Sequence, residues 1–324
     1  MTSRRRFIQI GALGVIAPVR VFAQARPARI GILSGLPRDK SIFTPLLLQA
    51  LSELGYREGS GMQLVFRSGD GTEKLYPKLA RELIDSKCDV IFALVSDLIA
   101  RSFRDARTPI PVVFLANEYD PLEKGIVDNL RRPGGNITGV YSPSIALVAK
   151  GLEIMQEILP GAKRFLVLAD IHSKDHLAAL TRAAATLGVQ LTVVEYKEQP
   201  HDLVGAFETG RRQKVDAFVG LSSPVFAGRR TELSALLAKN RLPAIVPIYM
   251  ASESGSLVSY SVDLSKLARR GAELGVKILK GAKPADIPVE QMDEYELVVN
   301  LKTAKTLGLK IPYSVLARAT KVIE

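Results

Sequence analysis

Two histidines, His172 and His176, are four residues apart, a spacing that places two imidazoles on one face of a helix. Imidazole nitrogens are common zinc ligands, so the pair is a candidate for metal binding. A zinc site needs at least three protein ligands, and no recognised pattern supplies a third one beside this pair. We therefore predict that the chain uses no metal and no other cofactor.

The motifs of the common enzyme classes do not occur in the sequence. There is no GxSxG elbow, no HExxH, no Walker loop and no GxGxxG. The single cysteine, Cys88, precedes an apolar run, so we expect a core position, and one cysteine excludes an internal disulfide or a CxxC redox pair. The segment 132–136 (RPGGN) precedes a strand and favours a turn over a phosphate-binding loop. The sequence predicts a protein that is not an enzyme.

The N-terminal segment 1–25 has the features of an export signal. Residues 3–8 (SRRRFI) resemble the twin-arginine signal, and the apolar stretch 10–19 that follows is too short to span a bilayer. Residues 23–25 (AQA) fit a small-x-small cleavage site. We predict a twin-arginine-like signal peptide and a mature protein that is periplasmic and soluble; the alternative is a basic cytosolic tail.

Charge does not favour a nucleic-acid partner. The net charge of +11 falls to +7 when the four arginines of the predicted leader, which has no acidic residue, are removed. The remaining basic residues are dispersed as pairs such as Arg131-Arg132 and Arg229-Arg230, and pairs of this kind on helix faces are usually solvated. We predict no nucleic-acid binding.

Short apolar runs alternate with segments of helical periodicity along the whole mature chain. The run 90–95 is continuously apolar, as in a parallel strand covered on both faces. The segment 41–54 has apolar residues at helical spacing and ends at Gly55. A second series of strands and helices begins near residue 137. The sequence therefore predicts an α/β fold with two doubly wound Rossmann-like lobes.

The segment 257–307 is least compatible with a single domain. It contains a strand, a long amphipathic helix, a Lys-Gly turn and another strand. Such a segment is expected where a chain that has built a second lobe returns to complete the first. We place lobe 1 at residues 26–139 plus 260–287 and lobe 2 at residues 140–259 plus 288–324.

Two such lobes enclose a cleft, and in open α/β sheets the ligand lies beyond the carboxyl ends of the strands. This rule selects the residues that follow each predicted strand. The predicted ligand-binding residues are Ser34, Gly35, Ser96, Asp97, Asn117, Tyr119, Asp120, Tyr141, Ser142, Asp170, Ser222, Ser223 and Tyr249.

These residue types suit a small molecule with a carboxylate. Ser96 and Ser223 precede helices, whose free N–H groups hold a carboxylate without a lysine. Asp120 or Asp170 would pair with an ammonium group of the ligand, and tyrosines would enclose its apolar part. Helix capping accounts equally well for the serines, and packing at the rim accounts for the tyrosines.

Several stretches resemble one family of bacterial ABC-transporter substrate-binding proteins, which includes tryptophan- and tyrosine-type uptake components. The resemblance extends from residue 30 to the C-terminus. The matching stretches are 53–59 (ELGYREG), 120–121 (DP), 132–139 (RPGGNITG), 257–260 (LVSY), 277–286 (KILKGAKPAD), 287–291 (IPVEQ) and 296–305 (ELVVNLKTAK).

The resemblance implies a fold like that of type I periplasmic binding proteins, with two lobes joined by a three-crossover hinge. It implies that the lobes close over an amino acid or related small carboxylate, and that this ligand is delivered to an ABC permease and its ATPase subunits at the inner membrane. We expect a monomer. Because Asp120 lies in a matched stretch, we expect Asp120→Ala to weaken binding more than Asp170→Ala.

The chain departs from the family pattern at three predicted cleft edges. It has Tyr260-Ser261 where the family often has Tyr-Gly, and Ala169-Asp170 where it often has Asn-Pro. It has Ser96-Asp97 where the family often has Thr-Pro. The identity of the ligand is therefore not carried over. Two alternatives stay open, a ligand sensor for a membrane signalling protein and an enzyme on the same scaffold.

Overall fold

The computed structural model describes residues 26–117, 119–143, 145–198, 201–247 and 255–324. Within these residues the chain forms two β-sheets with helices on both faces, which confirms the predicted α/β class. None of the helices in these ranges is long and apolar enough to cross a membrane.

The first sheet has six strands, all paired in parallel. They are β1 (Ala28–Ser34), β2 (Met62–Ser68), β3 (Val90–Leu94), β4 (Val112–Ala116), β5 (Ile137–Tyr141) and β11 (Glu290–Gln291). The strand order is β11-β5-β4-β3-β1-β2. Every residue of the central strands β3 and β4 is buried, because helices cover both faces of the sheet.

The second sheet has seven strands. They are β6 (Arg164–Ala169), β7 (Gln190–Glu195), β8 (Ala217–Val219), β9 (Ala244–Val246), β10 (Val258–Val262), β12 (Tyr295–Asn300) and β13 (Lys321–Ile323). The order is β13-β12-β10-β9-β8-β6-β7, and only β10 and β12 pair antiparallel. That antiparallel pair is where the returning chain enters the sheet.

The helices fall into two sets, one for each sheet. Those associated with the first sheet are α1 (Phe43–Glu53), α2 (Tyr76–Asp85), α3 (Asp97–Asp105) and α9 (Leu264–Leu279), with 3-10 turns at Glu73–Leu75 and Pro284–Asp286. Those of the second part of the chain are α4 (Ile145–Ile158), α5 (Lys174–Leu187), α6 (Leu203–Arg212), α7 (Pro224–Gly228), α8 (Arg230–Lys239), α10 (Leu301–Leu307) and α11 (Tyr313–Leu316). In the first set, α1 packs against α9 and α2 packs against α3.

The chain passes between the two sheets three times. The passages lie between β5 and α4, between β10 and α9, and between β11 and β12. At the second passage the Asp263 carboxylate accepts the N–H groups of Ser265 and Lys266 and so fixes the start of α9. The segment 257–307 is thus a return path, as its composition predicted. The passages lie a few residues after the lobe boundaries expected from the sequence.

Two glycines let helix α9 lie close against the first sheet. A Cβ at Gly275 would lie 2.3 Å from the ring of Phe92, and one at Gly271 would lie 2.8 Å from the side chain of Leu115. Both partners are fully buried and have no space to move into. The glycines therefore set the spacing between the returning helix and the sheet.

We expect Gly275→Ala to lower the free energy of unfolding by about 1–3 kcal/mol, because the added methyl overpacks the core at Phe92. Gly228→Ala is the control, since nothing lies within 4 Å of a Cβ there. Without such a clash, alanine stabilises a helix by about 1 kcal/mol relative to glycine. Urea unfolding of both variants measures the difference; equal stability would mean that α9 is not in close contact with the sheet.

The core position of Cys88 is confirmed. The thiol is free and buried beside Gly31, and burial raises its pKa. A buried thiol with a raised pKa is a poor nucleophile, so the residue contributes packing.

Candidate functional site

The carboxyl ends of strands from both sheets face each other across a cleft. We call one largely apolar cavity of this cleft the front pocket; its empty space is about 680 Å³, counting the part open to solvent. The pocket is lined by Ser34, Gly35, Leu36, Lys40, Ser41, Ile42, Phe43, Tyr76, Leu94, Val95 and Ser96 from the first part of the chain, and by His172, Ser222, Ser223, Ala227 and Arg230 from the second.

The first wall is formed by the turns that follow β1 and β3. The Ser34 hydroxyl accepts the N–H of Leu36 at 3.2 Å, which turns the chain away from the sheet. Gly35 leaves room for Tyr76, whose hydroxyl would lie 3.2 Å from a Cβ at this position. Apolar contact surface comes from Phe43 at the start of α1 and from the largely buried Tyr76. This wall combines short polar groups with an apolar floor.

The backbone at Val95 is strained. Its φ is +70°, and the N–H of Ser96 donates to the carbonyl of Leu94 at 2.9 Å, so the three residues form a γ-turn. A β-branched residue in this region is an outlier that costs about 1–3 kcal/mol. The Val95 N–H donates to the Leu115 carbonyl, and this bond helps to hold the turn. The turn directs the chain from β3 into the pocket wall at Ser96.

Ser96 occupies the N-cap position of α3, but its hydroxyl makes no capping hydrogen bond. The N–H groups of Ile99 and Ala100 donate to the Ser96 carbonyl instead. The residue lines two cavities, the front pocket and a second one described below. Ser96 therefore occupies the cap position that the sequence predicts, but its side chain does not form the capping hydrogen bond.

The second wall is held by a buried network around Asp170, at the end of β6. One carboxylate oxygen accepts the N–H groups of His172 and Ser173 at 3.0 and 3.2 Å. The other accepts the hydroxyl of Ser223, whose oxygen also accepts the N–H of Val225 at the start of α7. Asp170 thereby ties the end of β6 to the end of β8. The predicted cap at Ser223 is confirmed, with Pro224 in the first helical turn.

A second cavity, which we call the hinge pocket, lies beside the front pocket and shares Ser222 with it. It holds about 480 Å³ and is lined by Asn117, Leu147, Val148, Gly151, His176, Val219, Gly220, Ser222, Ile245, Val246, Pro247, Tyr260 and Ser261. Burial lowers the pKa of His176 to about 4, so this imidazole is neutral near pH 7.

Several buried polar atoms have no hydrogen-bond partner among the residues described here. They include Nδ1 of His176 and the hydroxyls of Tyr119 and Ser142. Burial, with a smaller effect from Asp97, raises the pKa of Tyr119 well above its usual value. Buried polar groups are normally hydrogen-bonded, so these atoms are suited to bind water or a ligand.

A third cavity separates the two parts of the chain at the side of the cleft, and we call it the latch cavity. Two contacts cross it. Lys124 Nζ lies 2.9 Å from Asp175 Oδ2, and His172 Nδ1 lies 3.0 Å from Glu73 Oε1. The hydrogen bond between Lys124 and Asp175 raises the pKa of the lysine and lowers the pKa of the aspartate. The two walls are therefore in contact, and the cleft is closed at this side.

The predicted site residues divide into three groups. The residues that line the front pocket, the hinge pocket or the latch cavity are Ser34, Gly35, Ser96, Asp97, Asn117, Tyr119, Ser222 and Ser223. The residues that line none of these three and are buried or held by local bonds are Asp120, Tyr141, Ser142 and Asp170. Tyr249 lies outside the described residues.

Within the second group, Asp120 and Tyr141 form hydrogen bonds with other protein groups. The Asp120 carboxylate accepts the N–H groups of Leu122 and Glu123 at 2.7 and 3.2 Å. The Tyr141 hydroxyl is 2.8 Å from the side-chain oxygen of Gln291, which joins β5 to β11. These two residues stabilise the frame of the cleft.

Sequence reasoning missed several residues of the front pocket. Lys40 and Phe43 lie beyond the first residues after β1, and the rule for strand ends could have been extended along that loop. Arg230 belongs to a charged pair that was interpreted as solvated. Tyr76 lies in a helix after β2, and no sequence signal marks it. The spacing of His172 and His176 suggests a metal site and gives no sign of ligand binding, although both residues line cleft cavities.

Comparison with known proteins identifies relatives of the whole fold. The family model described as ABC transporter substrate binding protein matches residues 43–323. A tyrosine-binding protein of Clostridioides difficile is 26% identical over 272 residues, which are 81% of this chain and 75% of that protein.

Two solved structures have the same fold. The ABC domain from Streptococcus pneumonia in complex with L-Trp has a TM-score of 0.78 and 24% identity, over 92% of this chain and all of that one. A ligand-free, open structure of a substrate binding protein with adhesive properties from Clostridium difficile has a TM-score of 0.62 and 23% identity, over 91% of this chain and 99% of that one.

Proposed function

Because the chain belongs to the family of ABC transporter substrate binding proteins, we propose that it captures a small organic carboxylate, an amino acid or a related acid, between its two lobes and delivers it to a membrane permease. The observation that carries this proposal is the front pocket. Its lining comes from strand ends of both sheets, so a molecule held there contacts both walls at once.

The physical mechanism is closure without chemistry. A ligand that contacts both walls favours the closed form by its differential affinity for that form. The pairs Lys124–Asp175 and Glu73–His172 add contacts that exist only when the walls meet. Exposed ion pairs contribute little, about 0–1 kcal/mol each, so closure depends mainly on the ligand.

The division into lobes is part of the proposal. We assign residues 26–139 plus 260–287 to one lobe and 140–259 plus 288–324 to the other, with the exact boundaries at the three passages between the sheets. We also propose that the protein acts as a monomer, works with ABC permease and ATPase subunits, and catalyses no reaction. The amino-acid ligand class is supported by the tyrosine-binding relative.

A thermal-shift screen of residues 26–324 against amino acids and small carboxylates tests the binding function. A ligand at a hundred times its Kd stabilises the folded chain by about 2.7 kcal/mol, which raises the melting temperature visibly. We expect a selective rise, and recovery of the unchanged compound. A converted compound would establish the enzyme alternative, and a panel without any rise would contradict the proposed ligand class.

We also propose export through the twin-arginine signal in residues 3–8. Replacing Arg4, Arg5 and Arg6 together by lysine keeps the charge of the leader and removes the arginine pair. We expect the uncleaved precursor to accumulate in the cytoplasm, as measured by fractionation and mass. Cleavage and export of the lysine variant at the normal level would contradict a twin-arginine signal.

A further inference from the structure

Two cations line the front pocket, one from each side of the cleft. Lys40 lies between β1 and α1, and Arg230 is the first residue of α8. Like charges that face one cavity repel each other, and closure of the cleft brings the two walls together. An anion held between the two side chains would turn this repulsion into attraction.

In each wall, a neighbouring arginine is neutralised while the pocket cation is not. Arg38 pairs with Glu58 at 2.7 Å, and Arg229 pairs with Glu232 at 2.8 Å. Within the described part of the chain, neither Lys40 nor Arg230 forms an ion pair; Arg230 makes a single long bond, 3.4 Å, to the carbonyl of Ala227. The charge available to a ligand is therefore positive on both sides.

The carboxylates of the cleft lie elsewhere. Glu73, Asp97 and Asp175 line the latch cavity together with Lys124 and His172. Asp120 and Asp170, the residues expected to answer an ammonium group, line no part of the front pocket and accept local hydrogen bonds. Among the described residues that line the front pocket, none is acidic.

We propose that the front pocket binds an organic monocarboxylate without an ammonium group, with its carboxylate between Lys40 and Arg230. The inference rests on the proposed function, because it names the ligand class of the same cleft. Ile42, Phe43 and Tyr76 offer an apolar surface for the rest of the molecule. This apolar surface suits an aromatic or branched aliphatic acid.

Matched pairs of ligands test this class. Isothermal titration at low ionic strength compares L-phenylalanine with 3-phenylpropanoate, L-tyrosine with 3-(4-hydroxyphenyl)propanoate, and L-leucine with 4-methylpentanoate. The members of a pair differ only by the α-ammonium group, which would lie beside two cations. We expect the amine-free member of at least one pair to bind at least about tenfold more tightly. The amino acid would bury its ammonium group without an acidic partner, and burial of an unpaired charge weakens binding.

The outcomes separate the two proposals. If the amino acid binds as tightly as its partner, or more tightly, in every pair that binds, the inference is overturned and the binding function stands. If no member of any pair binds, the inference is also overturned, and a thermal-shift panel without any rise then removes the proposed function as well.

Variants test the placement of the carboxylate. Lys40→Gln and Arg230→Gln should each weaken binding of the preferred acid by about tenfold or more, because each removes a charge-assisted hydrogen bond. Lys78→Gln and Lys239→Gln are exposed controls with the same loss of charge, one in α2 and one in α8. Titration of all four with the acid and with its uncharged primary amide completes the test. Equal affinity for the acid in the pocket variants and the controls would overturn the placement.

Discussion

Asp170→Ala is expected to lower the free energy of unfolding by roughly 3 kcal/mol and to abolish most ligand binding. The substitution removes the acceptor of the partly buried His172 N–H and of the buried Ser223 hydroxyl, and one of the two acceptors of the Ser173 N–H, which keeps its bond to the backbone carbonyl of residue 170. Each unsatisfied buried group costs about 1–3 kcal/mol. The second wall of the front pocket depends on this network, because His172 and Ser223 line it.

Asp120→Ala is the matched control. Its carboxylate also accepts two N–H groups, but the residue is partly exposed and lines no part of the front pocket. Loss of these partly exposed turn hydrogen bonds costs about 1 kcal/mol, and we expect ligand affinity to change little. Denaturant unfolding and titration of both variants measure the contrast. The sequence alone favours the opposite order for binding, and a larger loss of affinity at Asp120 would contradict the geometry.

Acid is expected to destabilise the protein through His176, by roughly 3 kcal/mol at most. Burial lowers the pKa of this imidazole from 6.5 to about 4, so the fold prefers the neutral form. The unfolded chain takes up the proton as the pH falls through 6.5, whereas the folded chain does so only near pH 4. The stabilisation is therefore present above pH 6.5, is lost between pH 6.5 and 4, and amounts to about 1.4 kcal/mol per pH unit.

Unfolding free energies at several pH values compare the natural chain with His176→Gln. We expect the difference between the two to shrink as the pH falls from 7 to 4. His201, whose pKa burial also lowers, contributes with the same sign and leaves part of the slope in the variant. A pH-independent difference would mean that the pKa of His176 is the same in the folded and the unfolded chain.

The fold could be predicted from the sequence because its signals are local. The continuous apolar run 90–95 predicted the central strand β3, which is fully buried between two parallel neighbours. The segment 257–307 predicted a return path, and α9 does pack against α1 of the first part of the chain. The spacing of apolar residues and turn signals carries this information without knowledge of the tertiary contacts.

The site could be predicted only in part. The rule for strand ends selects residues by their position along the chain, but it does not give the direction in which each side chain points. Three of the residues that it selected, Ser34, Ser96 and Ser223, line the front pocket. The rule could not show that the carboxylate of Asp170 accepts a hydrogen bond from Ser223, which is 53 residues away in sequence. Nor could it find Arg230, which becomes a pocket residue only because α8 begins at the cleft.

The most direct test of the account is the distance between the two walls of the cleft, measured with and without ligand. Spin labels at Lys74→Cys and Lys174→Cys lie on exposed positions, one residue from Glu73 and two residues from His172, and the side chains of Glu73 and His172 are in contact here. Cys88 is buried. We predict that a ligand from the thermal-shift screen shifts the distance distribution, measured by double electron–electron resonance, to a single short population. A bound ligand that leaves a broad, long distribution unchanged would contradict capture by closure.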